Sequence, residues 1–322
     1  MASGAVPIES VDMGTSGLPG RNVLDIEVIR SLSQKSDARG FLRFGIHFLV
    51  MASTGWLVKA ALPNWWLMIP AMVLHGFTIV TMFAPMHECV HRTVFATRIL
   101  NEAFGWLAGL LGFYNFTYYR YYHTWHHRYT QDPARDPELM TPKPRSIADY
   151  AWEISSIPFW LMRPMSFLGL ALGRTQKYQF VPETARSKIA LSAGLQLAVY
   201  VSGIVSIALG YSYAWLYWFL PAMLAQPLLR AILIVEHTGC TQDENGLTNT
   251  RTTLTNPLIR LLMWNMPFHT EHHLYPSIPF HQLPLAHQKL KEHLAHLAPN
   301  YVAANRTVIQ SVSGAHQQPM SS

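Results

Sequence analysis

Four long apolar segments constrain the fold of this chain more than any other feature. A helix needs about 20 mainly apolar residues to cross a lipid bilayer. Such segments occur here in two closely spaced pairs, residues 44–62 with 65–83 and residues 189–209 with 214–235. Only 13% of the residues are charged, whereas soluble domains average about 25%. The sequence therefore predicts an all-α integral membrane protein with four transmembrane helices in two hairpins.

The turns within the two pairs agree with this prediction. Residues 63–66 read Pro-Asn-Trp-Trp, and residues 210–213 read Gly-Tyr-Ser-Tyr. Tryptophan and tyrosine are typical of membrane–water interfaces, because their rings are apolar at one end and polar at the other. The alternative is a soluble enzyme with four long buried helices, which the low charge and the pairing of the segments disfavour.

The basic residues predict the orientation of the chain in the membrane. Of the 24 lysine and arginine residues, only Lys59 and Arg230 lie within the four segments. The others precede, separate or follow the two pairs, and the positive-inside rule places those regions in the cytoplasm. Attraction to anionic headgroups accounts for the net charge of +6. No basic patch interleaved with aromatic residues indicates binding to nucleic acid.

These observations define one membrane domain, residues 39–298. We expect a cytoplasmic N-terminal arm at residues 1–38 and a C-terminal tail at residues 299–322. Residues 1–20 and 311–322 contain no apolar segment, so they are predicted to be disordered, and no secretory signal is evident.

The loop between the two pairs is about 100 residues long, which is too long for a structureless connection. It predicts an interfacial helix at residues 99–113 and a further helix at residues 114–128. Residues 152–172 are apolar but interrupted by Pro158 and Pro164, which leaves open a fifth span. An even number of spans is favoured, because an odd number would divide the histidine-rich segments between the two sides of the membrane.

Histidines are concentrated in three motifs next to the second and fourth apolar segments. One motif has the pattern HxxxH and two have the pattern HxxHH. The motif residues are His87, His91, His123, His126, His127, His269, His272 and His273. Positions i, i+3 and i+4 of a helix share one face, so each motif can direct two or three imidazoles at one point. With His237, these motifs offer nine nitrogen ligands, which predicts two metal ions rather than one.

Polar residues close to these histidines are candidates to orient them. A histidine that binds a metal normally donates its second N–H to a carboxylate or carbonyl group. Asn265 precedes His269 by one helical turn and could hold a metal-bound water. The candidates are Glu88, Glu236, Glu271, Asp132, Asp136 and Asn265.

Several other polar residues receive ordinary interpretations. His287, His293 and His296 lie in a predicted amphipathic helix at residues 285–297, and we expect them to be solvated. Arg251 is expected to pair with loop carboxylates or a substrate headgroup. The cysteines form no metal-binding pair.

The order of these motifs resembles the integral-membrane fatty acid desaturase and hydroxylase superfamily. The resemblance covers about residues 39–296 and is carried by HECVH, HTWHHRYTQDPARDPEL and WNMPFHTEHHLYPSIPFHQLP, which are especially similar to acyl-lipid desaturases. It implies that the eight motif histidines and His237 hold two Fe²⁺ ions, with O₂ as co-substrate. In the acyl-CoA branch an asparagine precedes the additional histidine by one turn, but this chain has Leu233 there.

The resemblance also implies a lipid acyl substrate and a location in a bacterial inner membrane or a eukaryotic endoplasmic reticulum. No fused haem domain is present, so a separate electron donor is expected, either ferredoxin-like or a b-type cytochrome with its reductase. Desaturation is the preferred reaction. Hydroxylation or another C–H oxidation of a lipid or hydrocarbon is the alternative, since the histidine pattern is shared. A metal transporter or sensor is a remote third, because it would place histidines along the spans.

Overall fold

The computed structural model describes residue 20 and residues 22–314 of the chain. Its regular structure is helical apart from one pair of two-residue strands. The predicted disorder at residues 1–20 and 315–322 lies almost entirely outside the described residues. Residues 311–314 correct that prediction, because the last helix continues through them.

Fourteen α-helices and two strands follow one another along the described part of the chain. Their bounds are α1 Ile26–Leu32, α2 Asp37–Ala61, α3 Trp65–Val80, α4 Phe83–Val90, α5 Arg98–Leu111, α6 Phe116–Arg128, α7 Ile147–Ile154, α8 Ile157–Ala171, α9 Glu183–Ala208, α10 Leu220–Leu233, β1 Thr252–Thr253, α11 Pro257–Leu262, α12 His269–Leu274, α13 Leu283–Leu290, β2 Leu297–Ala298 and α14 Tyr301–Gly314.

Four helical stretches are long and apolar enough to cross a membrane, as predicted: Asp37–Ala61, Trp65–Val90, Glu183–Ala208 and Trp215–Leu233. The second stretch joins α3 to α4, because only two residues separate Val80 from the start of α4. The HxxxH motif therefore begins inside this stretch rather than beyond its end. The candidate fifth span is divided between α7 and α8, neither of which reaches the length of a span.

The second stretch lies at the centre of the helical bundle. α3 packs against α2 on one side and α10 on the other. Gly76 makes the second contact possible, because a Cβ atom there would collide with the backbone carbonyl of Pro221. α9 packs instead against α8 and α6. Bulky apolar side chains on the outer helices, such as Leu49, Leu195 and Leu209, are more than half exposed. Such a surface is expected where lipid replaces water.

Two isolated histidines connect these helices by hydrogen bonds. Nε2 of His47 contacts the carbonyl oxygen of Thr78 at 2.8 Å. His75 contacts Thr54 Oγ1 at 3.0 Å and the carbonyl oxygen of Tyr217 at 3.1 Å. Both rings thus satisfy buried polar groups between helices rather than binding a metal.

The residues that follow α10 form a compact unit against the ends of the bundle. β1 pairs in parallel with β2. The helix predicted at residues 285–297 is shorter, because α13 ends at Leu290 and the chain then turns into β2. Trp264 and Asn265 both have positive φ, so the chain reverses sharply before it enters α12. This reversal brings α12 against the ends of α4 and α6.

Candidate metal centre

Five histidines from three helices form a first cluster, called site one. α4 and the residue directly after it contribute His87 and His91, α6 contributes His123 and His127, and α12 contributes His272. One ring nitrogen from each lies within 4.8 Å of one from every other. Nε2 of His123 lies 2.9 Å from Nε2 of His127.

A second cluster, called site two, combines the remaining predicted ligands. Nitrogens of His126, His237 and His273 lie within 4.8 Å of one another. Nε2 of His237 lies 3.2 Å from Nε2 of His126 and 3.1 Å from Nε2 of His269. All nine histidines predicted as ligands therefore belong to one of two adjacent clusters.

The HxxHH motifs do not direct three imidazoles at one point, which corrects that part of the sequence analysis. His123 and His127 enter site one, whereas His126 enters site two. In the third motif, His269 and His273 lie at site two and His272 enters site one. Residues i and i+4 nearly overlay on a helix, while i+3 and i+4 differ by about 100°. Each motif therefore contributes a pair to one site and a single histidine to the other.

Site one has the unpaired donor atoms that a metal would satisfy. Both nitrogens of His87, both nitrogens of His272 and Nε2 of His91 are buried and lack a hydrogen-bond partner among the described residues. Leaving one buried polar atom unpaired costs about 1–3 kcal/mol. Two ligands that are each about 2.0–2.2 Å from one ion stand roughly 2.9–3.6 Å apart at angles of 90–109°. The spacings of 2.9–3.2 Å between facing nitrogens fit this arrangement.

The electrostatics keep most of these rings in the form that binds metal. Burial lowers the pKa of His91 to about 3 and the pKa of His237 to about 4. Burial, reinforced by neighbouring histidines, also lowers the pKa of His123, His127 and His272 well below the ordinary value. A metal requires the neutral imidazole. These five rings are therefore neutral at pH 7 and ready to coordinate.

Hydrogen bonds fix the ring orientation at site two. Nδ1 of His126 lies 2.9 Å from Oδ1 of Asp136, and Nδ1 of His237 lies 3.1 Å from the carbonyl oxygen of Asn249. Each acceptor holds a proton on Nδ1 and leaves the Nε2 lone pair facing the cluster. Asp136 thus stands where an orienting carboxylate was predicted.

Two further predicted carboxylates also lie beside the clusters. Glu88 is fully buried, and its Oε1 lies 3.6 Å from Nδ1 of His272. Its Oε2 accepts hydrogen bonds from Thr93 Oγ1 at 3.0 Å and from the backbone of Phe280 at 3.2 Å. Oε2 of Glu236 lies 3.6 Å from Nε2 of His269.

Glu271 has a different environment from the one predicted. Although it lies between ligand residues on α12, its carboxylate accepts hydrogen bonds from Thr252 and from Nδ1 of His287, each at 2.5 Å. His287 was expected to be solvated, yet only 14% of its side chain is exposed. The pair holds α13 and β1 against the outer face of α12. His293 is exposed as expected, whereas His296 is half-buried.

Three other interpretations are corrected by the contacts. Asp132 pairs with Arg135 and caps the turn after α6, where it accepts a hydrogen bond from the backbone of Ala134. Asn265 donates from Nδ2 to the carbonyl oxygen of Phe280 at 2.9 Å and accepts from Arg260, so its amide stabilises the reversal before α12.

Arg251, for which carboxylate partners were predicted, is buried and donates to the carbonyl oxygens of Val235 and Thr238. These contacts hold the turn that carries His237. Sequence reasoning missed this role, because backbone carbonyls leave no signal in the sequence.

A cavity of about 950 Å³ reaches both sites. Its wall includes His87 and His123 from site one and His126 and His269 from site two. Aromatic side chains, including Tyr119 of α6 and Phe159 of α8, also line the cavity. The charged residues that line the cavity are Glu138, Lys143, Glu153, Arg163, Arg174, Lys177, Arg230 and Glu236. The cavity is large enough for a small organic ligand.

A second, smaller pocket of about 220 Å³ borders two other histidines of the clusters, His127 and His273. The turn after α6 and residues 242–246 form its rim. Each pocket therefore borders histidines of both sites. Sequence reasoning also missed Glu138, which binds Lys143 at 2.9 Å and lies near His126 and Asp136. Its position two residues after Asp136 is the sequence signal from which a place near the site could have been predicted.

Comparison with known proteins identifies a family that this region of the chain matches. The family model for fatty acid desaturases matches residues 63–305, which include all nine clustered histidines. The chain is 24% identical over 289 residues to an sn-1 oleoyl-lipid 12-desaturase of Picosynechococcus sp., covering 84% of this chain and 82% of the relative. It is 26% identical over 248 residues to the dihydrorhizobitoxine desaturase of Bradyrhizobium elkanii, covering 71% and 68%. It is 25% identical over 260 residues to a chloroplastic omega-6 fatty acid desaturase of Glycine max, covering 71% and 57%.

Proposed function

Because the chain belongs to the fatty acid desaturase family, we propose that it is an O₂-dependent membrane desaturase that introduces a double bond into the acyl chain of a lipid. One observation carries the proposal: histidines of both clusters line the same cavity. A substrate in that cavity would lie beside histidines of both sites. The names of the relatives favour desaturation over hydroxylation.

The residues fit two Fe²⁺ ions, with five histidines at site one and four at site two. When bound, the iron ions supply the O₂ chemistry that removes hydrogen from an unactivated C–H bond, which no side chain can do. The protein contributes ligands, orientation and exclusion of water. Asp136 and Asn249 hold the ligand rings of site two, and the aromatic wall of the cavity aligns the acyl chain.

The reaction balances only with an external source of electrons. One acyl CH₂–CH₂ unit, one O₂, two electrons and two protons give one CH=CH unit and two waters. The electrons come from a separate protein, either ferredoxin-like or a b-type cytochrome with its reductase. The smaller pocket next to His127 and His273 is a candidate site of approach, because it leaves the acyl cavity free.

Expression in a lipid-producing host tests the proposed reaction. Mass spectrometry of the acyl chains should reveal a product with two hydrogens fewer than its precursor, absent from cells that carry the His272→Ala variant. A product with one additional oxygen and no new double bond would identify a hydroxylase instead and overturn desaturation as the main activity.

We further propose that all three histidine motifs face the cytoplasm, with the four spans arranged as two hairpins. The basic residues outside the spans support this orientation. The membrane is the inner membrane in a bacterium or the endoplasmic reticulum in a eukaryote.

Cysteine labelling should show this orientation directly. In a background without Cys89 and Cys240, a Tyr211→Cys variant should react with an impermeant reagent added outside the membrane, because Tyr211 is 61% exposed in the turn before α10. A Glu244→Cys variant should react only after the membrane is opened, although its side chain is 67% exposed. The opposite labelling pattern would refute the proposed orientation.

His287 should matter for iron retention although it lies outside the histidine motifs. Alanine at this position removes the donor to Glu271 and leaves a buried carboxylate short of one partner. We expect iron affinity to fall by roughly 10-fold, within the range seen when groups that orient metal ligands are lost. His287→Asn, whose amide can replace Nδ1–H, should recover most of the loss. His293→Ala is the control, since His293 is exposed. Equal iron affinity in His287→Ala and His293→Ala would exclude this role.

A further inference from the structure

The two sites differ in their supply of nitrogen ligands. Site one gathers five histidines, whereas site two has His126, His237 and His273 with His269 adjacent. Site two, counted with His269, therefore has one donor fewer than site one. One further donor would give the two sites equal numbers of ligands. The remaining donor need not be a histidine, because carboxylate oxygens also bind first-row metals.

Glu236 is buried beside site two, and one of its carboxylate oxygens lacks a hydrogen-bond partner among the described residues. The residue is 8% exposed, and its Oε1 has no hydrogen-bond partner among the described residues. Its carboxylate also lines the cavity that reaches His126 and His269. Placing a carboxylate out of water without a donor or a cation is costly, so buried charges are normally paired or bind metals. Lys143, the nearby cation in the cavity, is already bound to Glu138 at 2.9 Å.

The distances between successive donor atoms are those expected for neighbouring ligands of one ion. Oε2 of Glu236 lies 3.6 Å from Nε2 of His269, which lies 3.1 Å from Nε2 of His237. Ligands at about 2.0–2.2 Å from a common ion are separated by roughly 2.9–3.6 Å. The backbone at this residue is also held in place, because Arg251 donates its N–H to the main-chain carbonyl oxygen of Glu236 at 2.8 Å.

We propose that Glu236 is a metal ligand of site two, supplying a carboxylate oxygen beside four histidines. This inference rests on the proposed di-iron function and makes the two sites chemically different. Site one is coordinated by nitrogen alone, and site two by nitrogen and one anionic oxygen. The negative charge offsets part of the charge of the metal ion at site two.

The test is Fe²⁺ binding by the full-length protein purified without oxygen, measured by competition with a chelator. The wild-type protein should bind two ions per chain. Glu236→Gln should weaken the binding of one ion by about 10- to 100-fold and leave the binding of the other ion unchanged, since an amide is a poor replacement for an anionic ligand. Glu153→Gln is the matched control, because Glu153 lines the same cavity but pairs with Arg230. It should retain both ions.

Mössbauer spectra of ⁵⁷Fe-loaded protein separate coordination from simple positioning. We expect two doublets of equal area in the wild-type protein, one of which is shifted or lost in Glu236→Gln. If Glu236 only oriented His269 by a hydrogen bond, the amide oxygen of glutamine would keep that contact and both doublets. Unchanged affinity and spectra in Glu236→Gln would therefore overturn the proposal.

Two further variants keep the test decisive. If Glu236→Gln does not accumulate in the membrane, Glu236→Asp can be tested instead. Its side chain keeps the negative charge but is one methylene shorter, so it should weaken the binding of one ion only. His237→Ala should lose one ion and shows that the assay detects a vacant site. A wild-type protein that binds no iron would instead refute the proposed function itself.

Discussion

Replacing His272 with alanine is expected to abolish desaturation while the protein still accumulates in the membrane. The ring of His272 lies between the other histidines of site one, with ring centroids 4.6 Å from His87, 4.7 Å from His91 and 4.8 Å from His127. Its removal opens a coordination position and leaves its neighbours free to move. Displacements of about 1 Å in an active site can cost about 100-fold in rate.

The membrane helices do not depend on this residue. The apolar surface that drives insertion belongs to α2, α3, α9 and α10, whereas His272 lies on the short helix α12. Product formation should therefore be measured beside the amount of protein in the membrane fraction. His293→Ala provides the control for a histidine at the surface. If His272→Ala kept more than half of the wild-type activity, His272 could not be a ligand.

The sequence was sufficient to predict the membrane helices and the identity of the clustered histidines. The length of the apolar segments identified the four spans, because a helix needs about 20 mainly apolar residues to cross a bilayer. Helical spacing brought His123 close to His127. The same geometry also predicts that His126 points elsewhere, since it lies about 100° from His127 around the helix axis. The helical spacing within each HxxHH motif therefore already implies that its histidines divide between two sites.

The contacts that support the sites could not be read from the sequence. Glu271 lies between His269 and His272, which made it a plausible partner for a ligand ring. Its side chain nevertheless extends from the opposite face of α12 and contacts His287 on α13. Asn265 and Arg251 also bind backbone carbonyls that are distant in sequence. Such pairings depend on how the segments after α10 pack against one another, and no local periodicity encodes that packing.

The assignment of histidines to two sites predicts the iron content of single and double variants. The wild-type protein should hold two iron ions per chain. His91→Ala should hold one, because His91 belongs to site one, and His237→Ala should also hold one, because His237 belongs to site two. The variant with both changes should hold none. The reason is that each ion depends on its own set of ligands, although the sites lie side by side.

Metal analysis under anaerobic conditions with Fe²⁺ as the sole added metal is the appropriate measurement. Zinc must be kept out, because it binds such nitrogen sites more tightly than Fe²⁺ and would replace it. His293→Ala again serves as the control and should retain two ions. A wild-type protein with one iron and full activity would refute the two-site assignment. Loss of both ions from His91→Ala alone would show that the clusters act as one centre, because two independent sites would leave the ion at His237 in place.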